Sequence, residues 1–235
     1  MKRKHITQII LVMGILLLFQ SCELKVMDDR RVLIKGSVVD SSNNPIANIS
    51  VRSMASGEIL GETYSHTNGS FQFTSLEAEN NYGVSILVNM NPNNNYNEGN
   101  IYDRTEDSIY SAKKFYSNSS KRNATTYNLG KIQLNKTARL DVFFNNVAGD
   151  NNSVAYKFEY VKAICDINLD NNNTEDCYYN ANYYQQLDIN TLNFQTNLYS
   201  QLGTTVILKY ILNNEPEQVI EIPLTNTENN YVFEF

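Results

Sequence analysis

Residues 165–177 carry the densest set of chemically capable side chains in the chain. Asp166, Asn168, Asp170 and Asn172 occupy alternate positions of a D-x-N-x-D-x-N series, and Glu175 and Asp176 follow closely. Calcium takes about six to eight hard oxygen ligands, and a tight loop can turn alternate side chains toward one point. The series departs from the helix-flanked calcium loop, because Asn171 stands where that loop needs glycine and Cys177 takes the place of its last ligand. Two readings stand: a calcium site in which Glu175 reaches in as the bidentate ligand, or a solvated acidic loop that keeps a strand edge soluble. Just downstream, Tyr178, Tyr179, Tyr183 and Tyr184 offer aromatic faces on which a sugar ring can stack. Strand alternation would put Tyr179 and Tyr183 on one face and Tyr178 and Tyr184 on the other. Tyrosine is equally an ordinary half-buried strand residue, and the chain has no tryptophan.

Catalytic constellations are not evident. His66 is the sole histidine beyond the N-terminal segment, and no nucleophile elbow, phosphate-cradling glycine loop or H-E-x-x-H series is present. The carboxylate pairs Glu106/Asp107 and Glu175/Asp176 are adjacent in sequence, and adjacent strand or loop residues point apart, which does not suit glycoside hydrolysis. The chain is therefore read as non-enzymatic.

The elements that must carry these residues begin with a leader. Lys2, Arg3 and Lys4 precede an apolar run from Ile6 to Phe19, which is shorter than the roughly 20 residues a membrane-spanning helix needs but suits an export signal. Ser21-Cys22 at its end resembles the lipobox of bacterial lipoproteins, which implies removal of residues 1–21 and acylation of Cys22 as the mature N-terminus. Residues 22–31 then form a tether, in which Glu23, Asp28 and Asp29 resemble the acidic tract of some surface-exposed lipoproteins. The address implied is the outer membrane, with attachment through lipid. With Cys22 so used, Cys165 and Cys177 remain as a pair, and an oxidising compartment favours a disulfide between them.

The composition contains 25 acidic against 19 basic side chains, and loss of the leader would make the body more acidic still. Without a cationic surface there is nothing to release phosphate counterions, so nucleic acid is excluded as a partner. Tyrosine (16) and phenylalanine (10) are abundant, and asparagine, which tolerates positive φ, clusters between alternating segments. These features predict an all-β protein, with Glu106 to Lys114 the best candidate for one short helix.

Two tandem antiparallel β-sandwiches are expected. The first spans 32–135 and holds a long polar insertion at 89–124. The second spans 136–235, built from segments such as Leu140-Val142-Phe144, Tyr156-Phe158-Tyr160, Val206 to Leu212, Val219 to Leu224 and Tyr231 to Phe235. Asn68-Gly69 between strand-like segments predicts a type I′ hairpin, and the last three strands are expected to join as hairpins.

Gly36, Val38, Asp40, Pro45, Ile49 and Val51, followed by Gly61, Thr63, Thr67-Asn68-Gly69, Phe71 and Phe73, resemble the order found in carboxypeptidase regulatory-like domains, which are transthyretin-like β-sandwiches. The resemblance implies an accessory or interaction module without its own active site. The expected function is that of a cell-envelope lipoprotein serving as a protein-interaction or scaffolding module, accessory to an outer-membrane transporter or surface assembly. The alternative is a surface glycan-binding lipoprotein.

Overall fold

The computed structural model describes residues 26–78, 82–91, 105–119, 122, 124–147, 151–171 and 173–235. The leader 1–21, Cys22 with the start of the tether, residues 92–104 of the insertion, and Asn172 lie outside the described residues. Among the described residues all regular elements are strands, and among them no helix is long and apolar enough to cross a membrane. The chain is all-β, in two sandwiches.

Strands β1 (Val26–Val39), β2 (Ser50–Ala55), β3 (Glu58–Tyr64), β4 (Ser70–Ala78), β5 (Val84–Val88), β6 (Ala112–Ser117) and β7 (Thr126–Gln133) build the first sandwich. One layer has the order β4-β1-β7, and the facing layer runs β3-β2-β5-β6. The period-two pattern of β1 turns Val32, Ile34 and Val38 inward to meet Val51, Ile86, Val88 and Phe115. Each such side chain, fully buried, contributes about 1.5–3 kcal/mol. Gly36 is required by close packing: a Cβ there would lie 2.8 Å from Phe71 Cζ and 2.9 Å from the Gly130 carbonyl oxygen.

Three local expectations differ from what forms. Glu106 to Lys114 is not a helix; a turn leads into β6, whose backbone groups pair with β5 on one side and a later strand on the other. Asn68-Gly69 does not make a type I′ hairpin, because Gly69 (φ 76°) has positive φ and Asn68 does not. The Gly69 N–H donates to the His66 carbonyl at 2.8 Å, and the turn carries the chain from β3 in one layer to β4 in the other. Most ladders are antiparallel, but β7 runs parallel to β1. Asparagine does supply the left-handed residues of many turns, at Asn43, Asn48, Asn89, Asn151, Asn173, Asn213 and Asn214.

The second sandwich comprises β8 (Thr137–Asn145), β9 (Val154–Asn168), β10 (Thr174–Asn180), β11 (Gln185–Leu187), β12 (Asn193–Gln201), β13 (Thr205–Leu212), β14 (Gln218–Pro223) and β15 (Glu228–Glu234). One layer is β15-β8-β12; the other is β14-β13-β9, with β10 and β11 on the far side of β9. Phe144 centres the core, 4.3 Å from the Tyr156 ring and 5.6 Å from that of Phe233. The link from β14 to β15 is not a hairpin, since β15 crosses to the opposite layer and runs parallel to β8.

The division at 135/136 is crossed by β9. Its first half pairs with β13 in the second sandwich, and its last residues, Ile164 to Asn168, run parallel to Ala112–Tyr116 of β6 in the first. Ile167 accordingly belongs to the first core. The two sandwiches follow one another in sequence but share a strand in space.

Candidate functional site

The β9–β10 hairpin lies across this junction. Cys165 and Cys177 are joined by a disulfide across it, as expected, next to a register shift between Asp176 and Tyr178. The oxygen-bearing residues of the loop do not converge. Asp166 and Asn168 share the outward face of β9, while Glu175 lies on the opposite face, where Lys113 Nζ donates to it at 2.6 Å. Asp170 turns toward the end of β6 and accepts from Ser117 Oγ (2.7 Å) and from the backbone N–H groups of Asn118 (2.8 Å) and Ser119 (3.1 Å). Alternation in the strands and recruitment of Asp170 by a neighbouring loop thus break up the calcium set, and Asn172 lies outside the described residues. One group of possible metal ligands is close together among the described residues, Cys165, Glu175 and Cys177, and its two sulfurs are consumed by the disulfide.

What the hairpin does build is a polar face. Strand register places Ser85, Tyr116, Asn168 and Thr174 in one row across β5, β6, β9 and β10. A second row holds Lys114, Asp166 and Asp176. Lys162 Nζ stands 3.7 Å from Asp166 and 3.5 Å from Asp176. Asn118 and Asn171 wall an open groove of about 550 Å³ over these rows. Sequence reasoning found Asp166 and Asn168 but not their partners, because Ser85, Lys114 and Tyr116 carry no local signal and are brought in by pairing with distant strands.

The four tyrosines are not a single platform. Tyr179 packs on its cross-strand partner Tyr160, with centroids 5.0 Å apart. Tyr178 lies on the other face and donates its hydroxyl to Glu159 at 2.9 Å, beside the Lys209 ammonium at 2.5 Å. Lys209 holds the Glu159 carboxyl below its ordinary range, and that carboxylate in turn raises the Tyr178 phenol. Tyr184 donates to Glu217 and stacks under Lys157 Nζ, 5.0 Å from its ring centroid. Tyr183, in the loop before β11, is 85% exposed.

The described parts of the 89–124 insertion are clamped to the body, which the sequence did not reveal. Asn89 is buried; its amide nitrogen donates to the carbonyls of Asp107, Tyr110 and Ser111, and its oxygen accepts from the Asp107 N–H. Arg52 bridges Glu62 (3.0 Å) and Glu106 (2.5 Å), which holds the Glu106 carboxyl below its usual range. At the far end Arg122 pairs with Glu77 at 3.0 Å, both buried, and also donates to the Ser119 and Ala78 carbonyls. Arg30 donates to the Arg122 and Ala124 carbonyls. Nearby, burial and the Glu77 charge push the Tyr127 phenol up to about 12.

The carboxylate pairs considered for hydrolysis are separated by these contacts. Glu106 is held by Arg52 while Asp107 caps the turn to Ile109, and Glu175 and Asp176 occupy opposite faces of β10. His66 is exposed in the turn before β4.

No family model matches the chain, and no curated protein matches it. Among solved structures it is remotely similar to the Bacillus anthracis TIE protein, at 10% identity and TM-score 0.30, over 88% of this chain and 34% of that one. The chain therefore spans about a third of that protein's length. Shaft pilin spaA from Lactobacillus rhamnosus GG is similar at 8% identity and TM-score 0.27, over 87% of this chain and 97% of that one. The tip fimbrial protein Mfa3 from Porphyromonas gingivalis is similar at 10% identity and TM-score 0.27, over 82% and 81% respectively.

Proposed function

We propose that this chain is a non-enzymatic cell-envelope lipoprotein, held to the outer membrane by acyl groups on Cys22, whose sandwiches serve as a scaffolding or interaction module for another envelope protein. The first sandwich would be the carboxypeptidase regulatory-like unit that its motifs resemble. The observation that carries the reading is the shared strand. With β9 paired into both sandwiches and its hairpin closed by a disulfide, the module presents its surface groups on one rigid frame. Rigid frames suit binding, because less freedom is lost when a partner docks. The acidic body leaves membrane attachment to the lipid, since anionic head groups would repel it.

The test is metabolic labelling of cells with tagged palmitate, followed by fractionation and cross-linking. Label in the wild-type chain, its loss in Cys22→Ala, and a cross-linked envelope protein in the outer-membrane fraction are the expected results. An unlabelled chain recovered in the cytosol would overturn the address. A labelled chain with no cross-linked neighbour would leave the address standing and remove the scaffolding role.

A further inference from the structure

We infer that the polar face across β5, β6, β9 and β10 is a binding site for a neutral carbohydrate chain. Lys114 lines the groove with Asp166 and Asp176, and Lys162, just outside the lining, stands 3.7 Å and 3.5 Å from those two carboxylates, so the charges at the groove balance, unlike a site for an anionic or cationic ligand. The lining is polar throughout, which does not suit an apolar ligand. A ligand with many hydroxyls needs a mixture of donors and acceptors, because each hydroxyl does both. The two rows provide it: ammonium donors, carboxylate acceptors, and the hydroxyls and amides of Ser85, Asn168 and Thr174.

Geometry adds three points. Tyr116, half-buried in the middle of its row, offers a flat apolar ring of the kind against which the C–H face of a sugar packs. The volume, about 550 Å³, lies within the roughly 300–1,000 Å³ of small-molecule sites, and the open groove lets a chain continue past either end. The walls are fixed in advance. The disulfide ties β10 to β9, and Asp170 ties the turn to Asn118 and Ser119, so little ordering accompanies binding. This site is distinct from the exposed tyrosines of the second sandwich, and it does not depend on the lipid anchor.

The experiment is affinity electrophoresis of the full chain in mild detergent through native gels cast with neutral polysaccharides (mannan, dextran, xylan, galactan) or with anionic polygalacturonate. Retardation by at least one neutral polymer is expected, weakened about tenfold or more by Asp176→Asn and by Tyr116→Ala, and unchanged by Tyr183→Ala. Asp176 is exposed, so its variant keeps the fold should Tyr116→Ala lose it. The inference is overturned by no retardation in any neutral gel, by retardation in polygalacturonate alone, by binding that survives Asp176→Asn, or by binding that Tyr183→Ala abolishes. None of these outcomes bears on palmitate incorporation, so the lipoprotein reading stands or falls separately.

Discussion

Tyr156 and Ile167 lie on one strand, β9, and each is buried in a different core. Between them the register against β10 shifts, and the buried positions pass from Val154, Tyr156 and Tyr160 to Ala163, Cys165 and Ile167, so the first half of β9 feeds the second sandwich and its last residues feed the first. The two cores cannot lose their packing independently of the strand between them.

Unfolding is therefore expected to be a single cooperative transition. Ile167→Ala should cost about 2–5 kcal/mol, the range for truncating a buried aliphatic side chain. In urea titrations, fluorescence from tyrosines of both sandwiches should shift together. Two separated transitions, with only the first displaced, would show that β9 does not couple the halves.

Cleaving the disulfide removes a constraint on the unfolded chain. Cys165→Ser with Cys177→Ser should lower stability by about 3 kcal/mol, and reductant should lower the melting temperature of the wild type while leaving the double variant unmoved. A wild type indifferent to reductant under conditions that free both thiols would remove the disulfide from the account of stability.

The Arg122–Glu77 pair is buried on both sides. Arg122→Met should cost about 3–5 kcal/mol because Glu77 would remain as an uncompensated charge, whereas Arg122→Met with Glu77→Met should recover much of the loss. A double-mutant cycle in denaturant measures the coupling; additive losses would mean that the ion pair is not the relevant contact.

Asn89 satisfies the backbone of the 105–111 segment through its side chain. Asn89→Ala is expected to speed amide hydrogen exchange at Asp107 without equal change in β1 or β4, since only the clamp is lost. Unchanged exchange at Asp107 would assign its protection to the β2 contacts instead.

Acid stability follows from carboxyls whose folded pKa is lowered. Glu106, held chiefly by the Arg52 hydrogen bond, and Glu159, held chiefly by Lys209, contribute stability that is fully present above the unfolded value near 4.5 and is lost as pH falls through the lower folded value. Glu106→Gln should flatten the decline of stability below that pH. At the other extreme, burial pushes Tyr156 and Tyr160 up to about 12. Stability should fall as pH rises above 10, where the unfolded chain ionises and the folded one resists. Spectrophotometric titration of the phenols against the unfolding curve checks both signs.

The candidate groove shows how far local signals reach. Asp166 and Asn168 stood out in the sequence because they alternate within one short stretch, and the disulfide was readable from the cysteine count. Ser85, Lys114 and Tyr116 were invisible, since nothing near them in sequence marks a site. The oxygen series was read as a loop of converging ligands, yet most of it lies in paired strands, where alternation sends neighbours to opposite faces. Likewise Asn68-Gly69 was legible as a turn, while its role as a passage between layers was not.

By itself the sequence determined the all-β class, the residues that face inward along most strands, and the asparagine-rich turns. Those properties arise from side-chain periodicity and backbone preferences within a few residues. Only the tertiary structure decided that β9 serves both sandwiches, that β7, β9 and β15 enter parallel ladders, and that the polar rows of four strands line up. Ladder hydrogen bonds use backbone groups common to every residue, so which strands pair is settled by burial of side chains far apart in the chain.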